Sequence, residues 1–270
     1  MPAAAKSYEL LQSFESLRLL DGMIRDPSKY ESHFETYAGA VIMRLAFGKS
    51  IDEPDTESFV RRVLEVVHTV ERVASPGSYL VDTFPVLLRL PYWMAPFKRE
   101  AQRLRDSELE LFRQLRADVR KDMLSEKPRE SFTKTFLDRQ REFGLSDDEG
   151  AYVIGTLFEA GAGTTAAAMM SFCLAMCHTP VWQERLHEEV DRIATDERMP
   201  DFDDLSDLPV VRAIVKEVLR WRPVTAGGVP HQLIKDDTYE GYFLPANTIV
   251  HANQWYLSSF LLSPTNACIH

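Results

Sequence analysis

Apolar residues recur every three or four positions along almost all of the chain before Arg222, the spacing that gathers them on one stripe of an α-helix. Leu10, Leu11, Phe14, Leu17 and Met23 predict a helix over residues 7–25. The run from Ala38 to Phe47 predicts a second over 31–48, closed by Gly48. A third covers about 55–74 and stops before Pro76-Gly77. Residues 76–96 break the rhythm, because Pro76, Pro85, Pro91 and Pro96 interrupt an apolar stretch holding Phe84, Leu87, Leu88, Leu90, Trp93 and Met94. Short helical turns joined by loops are expected there, with the apolar side chains packed inward. The alternative is a lip over a hydrophobic pocket or against a membrane surface.

A charged helix follows from Phe97 to Met123, with Leu104, Leu111 and Leu115 on its apolar face, and another covers about 130–142. Ser146-Asp147-Asp148-Glu149 then reads as a capping box, Ser at N-cap and Glu three residues on. The helix it opens runs to His178, where Thr179-Pro180 stops it. At 1.5 Å per residue its length is roughly 45 Å. Helices near 180–195 and 208–222 follow, the second ended by Pro223. Past that point Gly227-Gly228, Tyr239-Glu240-Gly241-Tyr242 and Thr248-Ile249-Val250 read as short strands and turns. The stretch from Tyr256 to His270 is apolar and Ser-rich without a periodic template. The fold class is therefore mainly α, with one long central helix and a few short β-strands near the C-terminus.

Composition adds exclusions. A net charge of -10 argues against nucleic acid, whose phosphates require a basic face. No run of eighteen or more uninterrupted apolar residues encodes a membrane span, and Met1-Pro2-Ala3-Ala4-Ala5-Lys6 is not a secretion signal. The three cysteines, Cys173, Cys177 and Cys268, form no disulfide framework. Cys173 and Cys177 stand at i and i+4 beside His178 without further ligands at zinc spacing, so they read as small core residues and no metal site is expected.

Candidate chemistry begins in the long helix. Glu159-Ala160-Gly161-Ala162-Gly163-Thr164-Thr165 places two glycines and two β-branched residues mid-helix, where each Gly costs about 1 kcal/mol against Ala. Leu157, Gly161, Thr164, Ala168 and Phe172 share a face. Gly161 there leaves room for a planar ligand, and Thr164 can turn a hydroxyl to a ligand or to the carbonyl one turn back. Close helix–helix packing through Gly and Ala explains the same residues. Glu217 and Arg220 stand at i and i+3 in an apolar helix followed by Trp221-Arg222-Pro223, a setting that predicts a buried ion pair. Glu-x-x-Arg also begins at Glu15, Glu100, Glu110, Glu126 and Glu189, where exposed pairs are expected.

Taken in order, these segments resemble the cytochrome P-450 family of haem-thiolate monooxygenases, and most of all its fungal members of secondary metabolism. The resemblance rests on Ala160-Gly161-Ala162-Gly163-Thr164-Thr165, then Glu217-Val218-Leu219-Arg220-Trp221-Arg222-Pro223, then Gly228-Val229-Pro230-His231, then Tyr239-Glu240-Gly241-Tyr242-Phe243-Leu244-Pro245. It runs from near the start to about Trp255. It implies haem b, a hydrophobic small-molecule substrate oxidised with dioxygen, and electrons from an NADPH-cytochrome reductase. Ala160, Gly161 and Thr164 would face the distal side of the haem, with Thr164 relaying protons. His231 would approach a haem propionate, Thr225 to Val229 would touch substrate, and Glu217 and Arg220 would stabilise the core beneath the haem.

The chain departs from the family at three points. Gly163 stands where the family carries an acid, and Glu159, one turn earlier, is the nearest substitute. The N-terminal anchor that holds family members at the endoplasmic reticulum is missing, which predicts a cytoplasmic chain. The haem-ligand loop is missing too, since Cys268 in Pro264-Thr265-Asn266-Ala267-Cys268-Ile269-His270 has neither the glycines nor the following helix that steady a thiolate. The expectation is a partial domain over 1–255, an unrelated tail over 256–270, and a chain inactive as it stands. A non-catalytic helical protein binding a ligand or partner, or a full monooxygenase whose gene end is misread, are the alternatives.

Overall fold

The computed structural model describes residue 6 and residues 8–53, 56–75, 77–125, 128–195 and 198–260. The chain divides into two compact units, Met1–Ala166 and Ala167–His270. In the first, α1 (Glu9–Arg25), α2 (Tyr30–Phe47) and α3 (Thr56–Ala74) precede the short α4 (Leu80–Thr83) and two 3-10 turns, Pro85–Arg89 and Tyr92–Met94. Then come α5 (Pro96–Asp122), α6 (Phe132–Phe143) and the long α7 (Asp147–His178), whose residues from Ala167 onward belong to the second unit. The second unit adds α8 (Pro180–Asp191), a 3-10 turn Phe202–Asp207, α9 (Pro209–Trp221), strands β1 (His231–Gln232), β2 (Asp237–Tyr239), β3 (Tyr242–Leu244) and β4 (Ile249–Val250), and α10 (Gln254–Phe260).

Local signals account for most boundaries. Gly48 ends α2 with a left-handed φ of 69° and donates its N–H to Arg44 O. The capping box at α7 is formed: the Glu149 N–H donates to Ser146 Oγ (3.3 Å) and the Ser146 N–H to Glu149 Oε2 (2.8 Å). Two-residue turn chemistry closes the β2–β3 hairpin, where Tyr239 pairs with Tyr242 across Glu240 (φ 48°) and Gly241 (φ 85°). The other ribbon pairs β1 with β4, His231 opposite Val250.

The core of the first unit centres on Phe112, Phe158, Met43, Leu115 and Ile154, all fully buried. Small residues on α7 let large ones approach. Gly155 lies against the Phe112 ring, and Phe158 meets Phe47 edge-on at 5.7 Å. By length and apolarity α7 could cross a bilayer. Its Ala151, Ile154, Phe158 and Ala162 are fully buried within the first unit.

Two expectations are corrected here. The Pro-rich segment does not pack inward: Leu80, Phe84, Val86, Leu88 and Trp93 are exposed, Trp93 to 75%. Its backbone is fastened by two basic side chains at the start of α5 instead. Lys98 Nζ donates to the carbonyls of Leu88 and Leu90 (2.7 and 2.9 Å), and Arg99 Nη1 to those of Tyr92 and Trp93 (3.2 and 2.9 Å). Satisfying those carbonyls leaves the apolar side chains to point outward. Second, residues 256–260, read as tail, continue α10, and the Ser258 carbonyl accepts from Arg220 Nη1 at 3.2 Å. Residues 261–270, with Cys268, lie outside the described residues, as do Met1–Ala5, Pro76 and Glu126.

The second unit holds a smaller apolar cluster of Met176, Ile214 and Val218 with Phe172, Ala175, Leu186 and Val210. Gly228 (φ 73°) of the second unit has no room for a side chain, for a Cβ there would stand 2.0 Å from the Ala252 carbonyl oxygen. Gly228→Ala is expected to cost about 1–2 kcal/mol through left-handed strain and that clash. Urea unfolding of the two proteins, with an unchanged midpoint as the refuting result, measures it.

Candidate functional site

The ion pairs invert what the sequence spacing implies. Glu217 and Arg220 do pair, with Arg220 Nε donating to Glu217 Oε2 at 2.7 Å and Nη2 to Oε1 at 2.5 Å. Yet the Glu217 side chain is 57% exposed, so the pair is not the buried one expected. The buried carboxylates are Glu15 (2%) and Glu189 (1%), where surface pairs were expected. Burial raises the pKa of Glu15, with Arg18 and Arg44 opposing. Glu189 reaches from α8 to the start of α9, where its two oxygens accept the N–H groups of Val210 and Val211, each at 2.9 Å. Glu100 pairs with Arg72, at 3.3 Å, across the fold. An i, i+3 spacing is the same on any helix; the neighbours decide which pair is covered.

On α7, Ala160 and Thr164 are exposed one turn apart, on the face opposite buried Phe158, Ala162 and Ala166. Thr164 Oγ1 donates to the Ala160 carbonyl at 2.7 Å, the back-bond anticipated from its position. Gly161 differs from the sequence expectation. A Cβ there would stand 2.7 Å from Ile42 of α2, so the room beside it is filled by a side chain, not left for a flat ligand. Gly163 lies in the same way against Val67 of α3, 2.9 Å from a built Cβ. Both glycines therefore serve close helix packing.

Glu159 cannot replace the acid missing at 163. Five residues along a helix amount to about 140° of rotation, which turns Glu159 away from the Thr164 face. It faces Glu108 of α5 instead. Its Oε1 is shielded from solvent without a hydrogen-bond partner, and burial together with the neighbouring Glu108 carboxyl raises its pKa to about 8. Tyr152, two turns earlier on the same face, is pushed up to about 12 by burial and by its contact with Glu108, and its hydroxyl donates to the Arg105 carbonyl at 3.3 Å. Sequence reading did not find this group, because Glu108 sits in a run of charges that reads as a solvated face.

Glu108 and Tyr152 line a cavity of about 620 Å³ in the first unit, walled by α3, α4, α5 and α7. Val66, Val70, Phe97, Leu104 and Leu111 supply its apolar wall, and Arg62, Glu65 and Arg105 its other charges. In the second unit His231 Nδ1–H donates to the Val229 carbonyl at 2.8 Å. The Thr225 carbonyl accepts the Gly228 N–H at 2.9 Å, and Thr225 and Val229 are exposed. Ala160, Gly161 and Thr164 thus belong to one unit, and Glu217, Arg220, Thr225, Val229 and His231 to the other.

The described cysteines do not resemble iron ligands. Cys173 and Cys177 lie inside the last turns of α7, and burial raises the Cys173 thiol above its usual pKa, opposite to what a thiolate needs. Among the described residues no cluster of three or more His, Cys, Asp or Glu is placed to hold a metal.

Comparison with known proteins places this geometry. The family model described as cytochrome P-450 matches residues 17–259. Cytochrome P-450 monooxygenase 58 of Postia placenta is 37% identical over 255 residues, covering 94% of this chain and 48% of that protein. A cytochrome P-450 monooxygenase of Aspergillus aculeatus is 35% identical over 260 residues, 95% of this chain and 49% of its own length. One of Armillaria gallica is 34% identical over 251 residues, 93% and 49%. The chain therefore spans about half the length of the relatives it matches. A zebrafish cytochrome P-450 solved with abiraterone shares the fold, with a TM-score of 0.63 at 22% identity over 84% of this chain and 51% of that one. Family members generally carry haem, oxidise hydrophobic substrates with a redox partner, and associate with membranes. With a family match across most of its length and the long Gly- and Thr-bearing helix at its centre, the chain belongs to the cytochrome P-450 family.

Proposed function

We propose that this chain forms the distal wall and substrate chamber of a haem-dependent monooxygenase acting on a hydrophobic small molecule, with electrons from an NADPH-cytochrome reductase. The observation that carries this is the exposed Ala160–Thr164 face of α7, set opposite a fully packed one. A small residue followed one turn later by a hydroxyl suits a flat, oxygen-binding group. Bound haem would supply the dioxygen activation.

The chain's own residues then act around it. Ala160 leaves clearance on the distal side, and Thr164 holds a hydroxyl that can leave its Ala160 bond to orient water. Gly161 seats α7 against Ile42. Thr225 and Val229 offer exposed contacts to substrate, His231 a donor for a propionate, and Glu217 with Arg220 an ion pair tied to the Ser258 carbonyl. The distal residues fit the group. The described cysteines do not suit a thiolate ligand to such a group, so no step is assigned to iron. The exposed segment 80–94, Trp93 at its tip, is the surface a bilayer would cover.

Haem titration tests this reading. The Soret band of added ferric haem should shift on binding, and Ala160→Phe should weaken binding by filling the distal face. The reduced, carbon monoxide-treated form should lack a thiolate-type Soret band. Unchanged haem binding in Ala160→Phe would remove α7 from the haem site. A thiolate-type band lost in Cys268→Ala would make Cys268 the ligand.

A further inference from the structure

The cavity walled by α3, α4, α5 and α7 combines an apolar lining with one asymmetric polar feature. Glu108 lines it from α5, and Glu159 of α7 neighbours Glu108 from outside the lining, with its Oε1 shielded and without a hydrogen-bond partner. A buried carboxyl without a donor costs free energy that a cation can return. The charges facing this point are Arg62 and Glu65 from α3, Arg105 from α5, and the neutral Tyr152 from α7. Arg62 donates to Gln114 Oε1 at 2.9 Å, and the Tyr152 hydroxyl lies beside Glu108 and donates to the Arg105 carbonyl at 3.3 Å. The two arginines and two glutamates of the lining balance, and Glu159 adds a carboxyl with no cation of its own.

We propose that this cavity selects an amphiphilic organic amine, its protonated nitrogen held by Glu108 with Glu159 neighbouring Glu108 and its apolar body lying along Val66, Val70 and Leu104. This assigns a ligand class to the cavity alone, which lies on a different face of α7 from Thr164; it is independent of the distal-wall reading, and amine binding requires no haem. In the free protein burial and the neighbouring Glu108 raise the pKa of Glu159 to about 8, so Glu159 holds a proton at neutral pH. An arriving ammonium lowers the cost of ionising Glu159, so binding at pH 7 releases that proton. No covalent step is involved.

Isothermal titration with 4-phenylbutylamine, and with 4-phenylbutanol as its neutral counterpart, tests the proposal. Both are run at pH 7 in two buffers of different ionisation enthalpy. The amine should bind at least about tenfold more tightly than the alcohol, with a buffer-dependent heat that reports net proton release. Glu108→Gln should lose the preference, and Glu159→Gln should reduce it and abolish the proton release. In both, unchanged affinity for the alcohol shows that the cavity is intact. Glu108→Asp keeps the charge and should keep a preference for the amine. Glu110→Gln removes the same charge from α5 about 200° around the helix and should behave as wild type. Equal binding of amine and alcohol, no binding of either, or equal losses in Glu110→Gln and Glu108→Gln would each overturn the proposal. Since no haem is present, a negative titration leaves the distal-wall reading untouched, and a failed haem titration leaves this one untouched.

Discussion

Phe112→Ala is expected to lower the stability of the first unit by about 3–5 kcal/mol, the range for deleting a buried aromatic ring. Phe112 is fully buried, lies on Gly155 of α7 and meets the Tyr152 ring edge-on at 5.6 Å. The ring is so close that a Cβ on Gly155 would stand 2.3 Å from three of its atoms. Gly155→Ala alone should therefore destabilise by about 2–3 kcal/mol through overpacking. The two changes should not add. In the double variant the new methyl enters the space the ring vacated, giving a coupling of about 1–3 kcal/mol. Chemical denaturation of the four proteins measures the cycle. Strict additivity would mean that α5 and α7 do not meet through this pair.

Glu189→Ala should destabilise the second unit by about 3 kcal/mol. Pro209 opens α9 and has no N–H, so the first orphan donors of the helix are those of Val210 and Val211. Leu208, at the N-cap, offers no side-chain acceptor. Glu189 takes both donors from a neighbouring helix, and its negative charge meets the positive end of the α9 dipole. Hydrogen bonds to charged groups are worth about 1.5–3 kcal/mol each, and leaving buried donors empty adds desolvation cost. Glu189→Gln retains one acceptor and should lose roughly half as much. Thermal melts followed by circular dichroism rank the three proteins. Equal melting of wild type and Glu189→Ala would show that solvent reaches these donors.

These variants also separate fold from chemistry. Neither Phe112 nor Glu189 belongs to the Ala160–Thr164 face, so their loss should act through unfolding and leave haem affinity of the folded fraction unchanged. The Glu108 and Glu159 substitutions lie at the cavity and should do the reverse.

Much of this was written locally. Helix extents follow from apolar spacing, and their ends from Gly48, Ser146 with Glu149, Pro180 and Pro223, because caps and breakers act within a turn of themselves. The same holds for the β2–β3 hairpin, read from Tyr239-Glu240-Gly241-Tyr242. The family was legible as well, since its motifs recur in order. Burial was not. Identical Glu-x-x-Arg spacings became a buried cap at Glu189, a buried carboxyl at Glu15 and an exposed pair at Glu217, because the covering side chains come from residues distant in sequence. For the same reason Gly161 met Ile42 instead of open space, Trp93 turned outward once Lys98 and Arg99 had taken the backbone carbonyls, and Glu108 came to face Glu159. Periodicity states which residues share a side of a helix; only tertiary packing decides what that side touches.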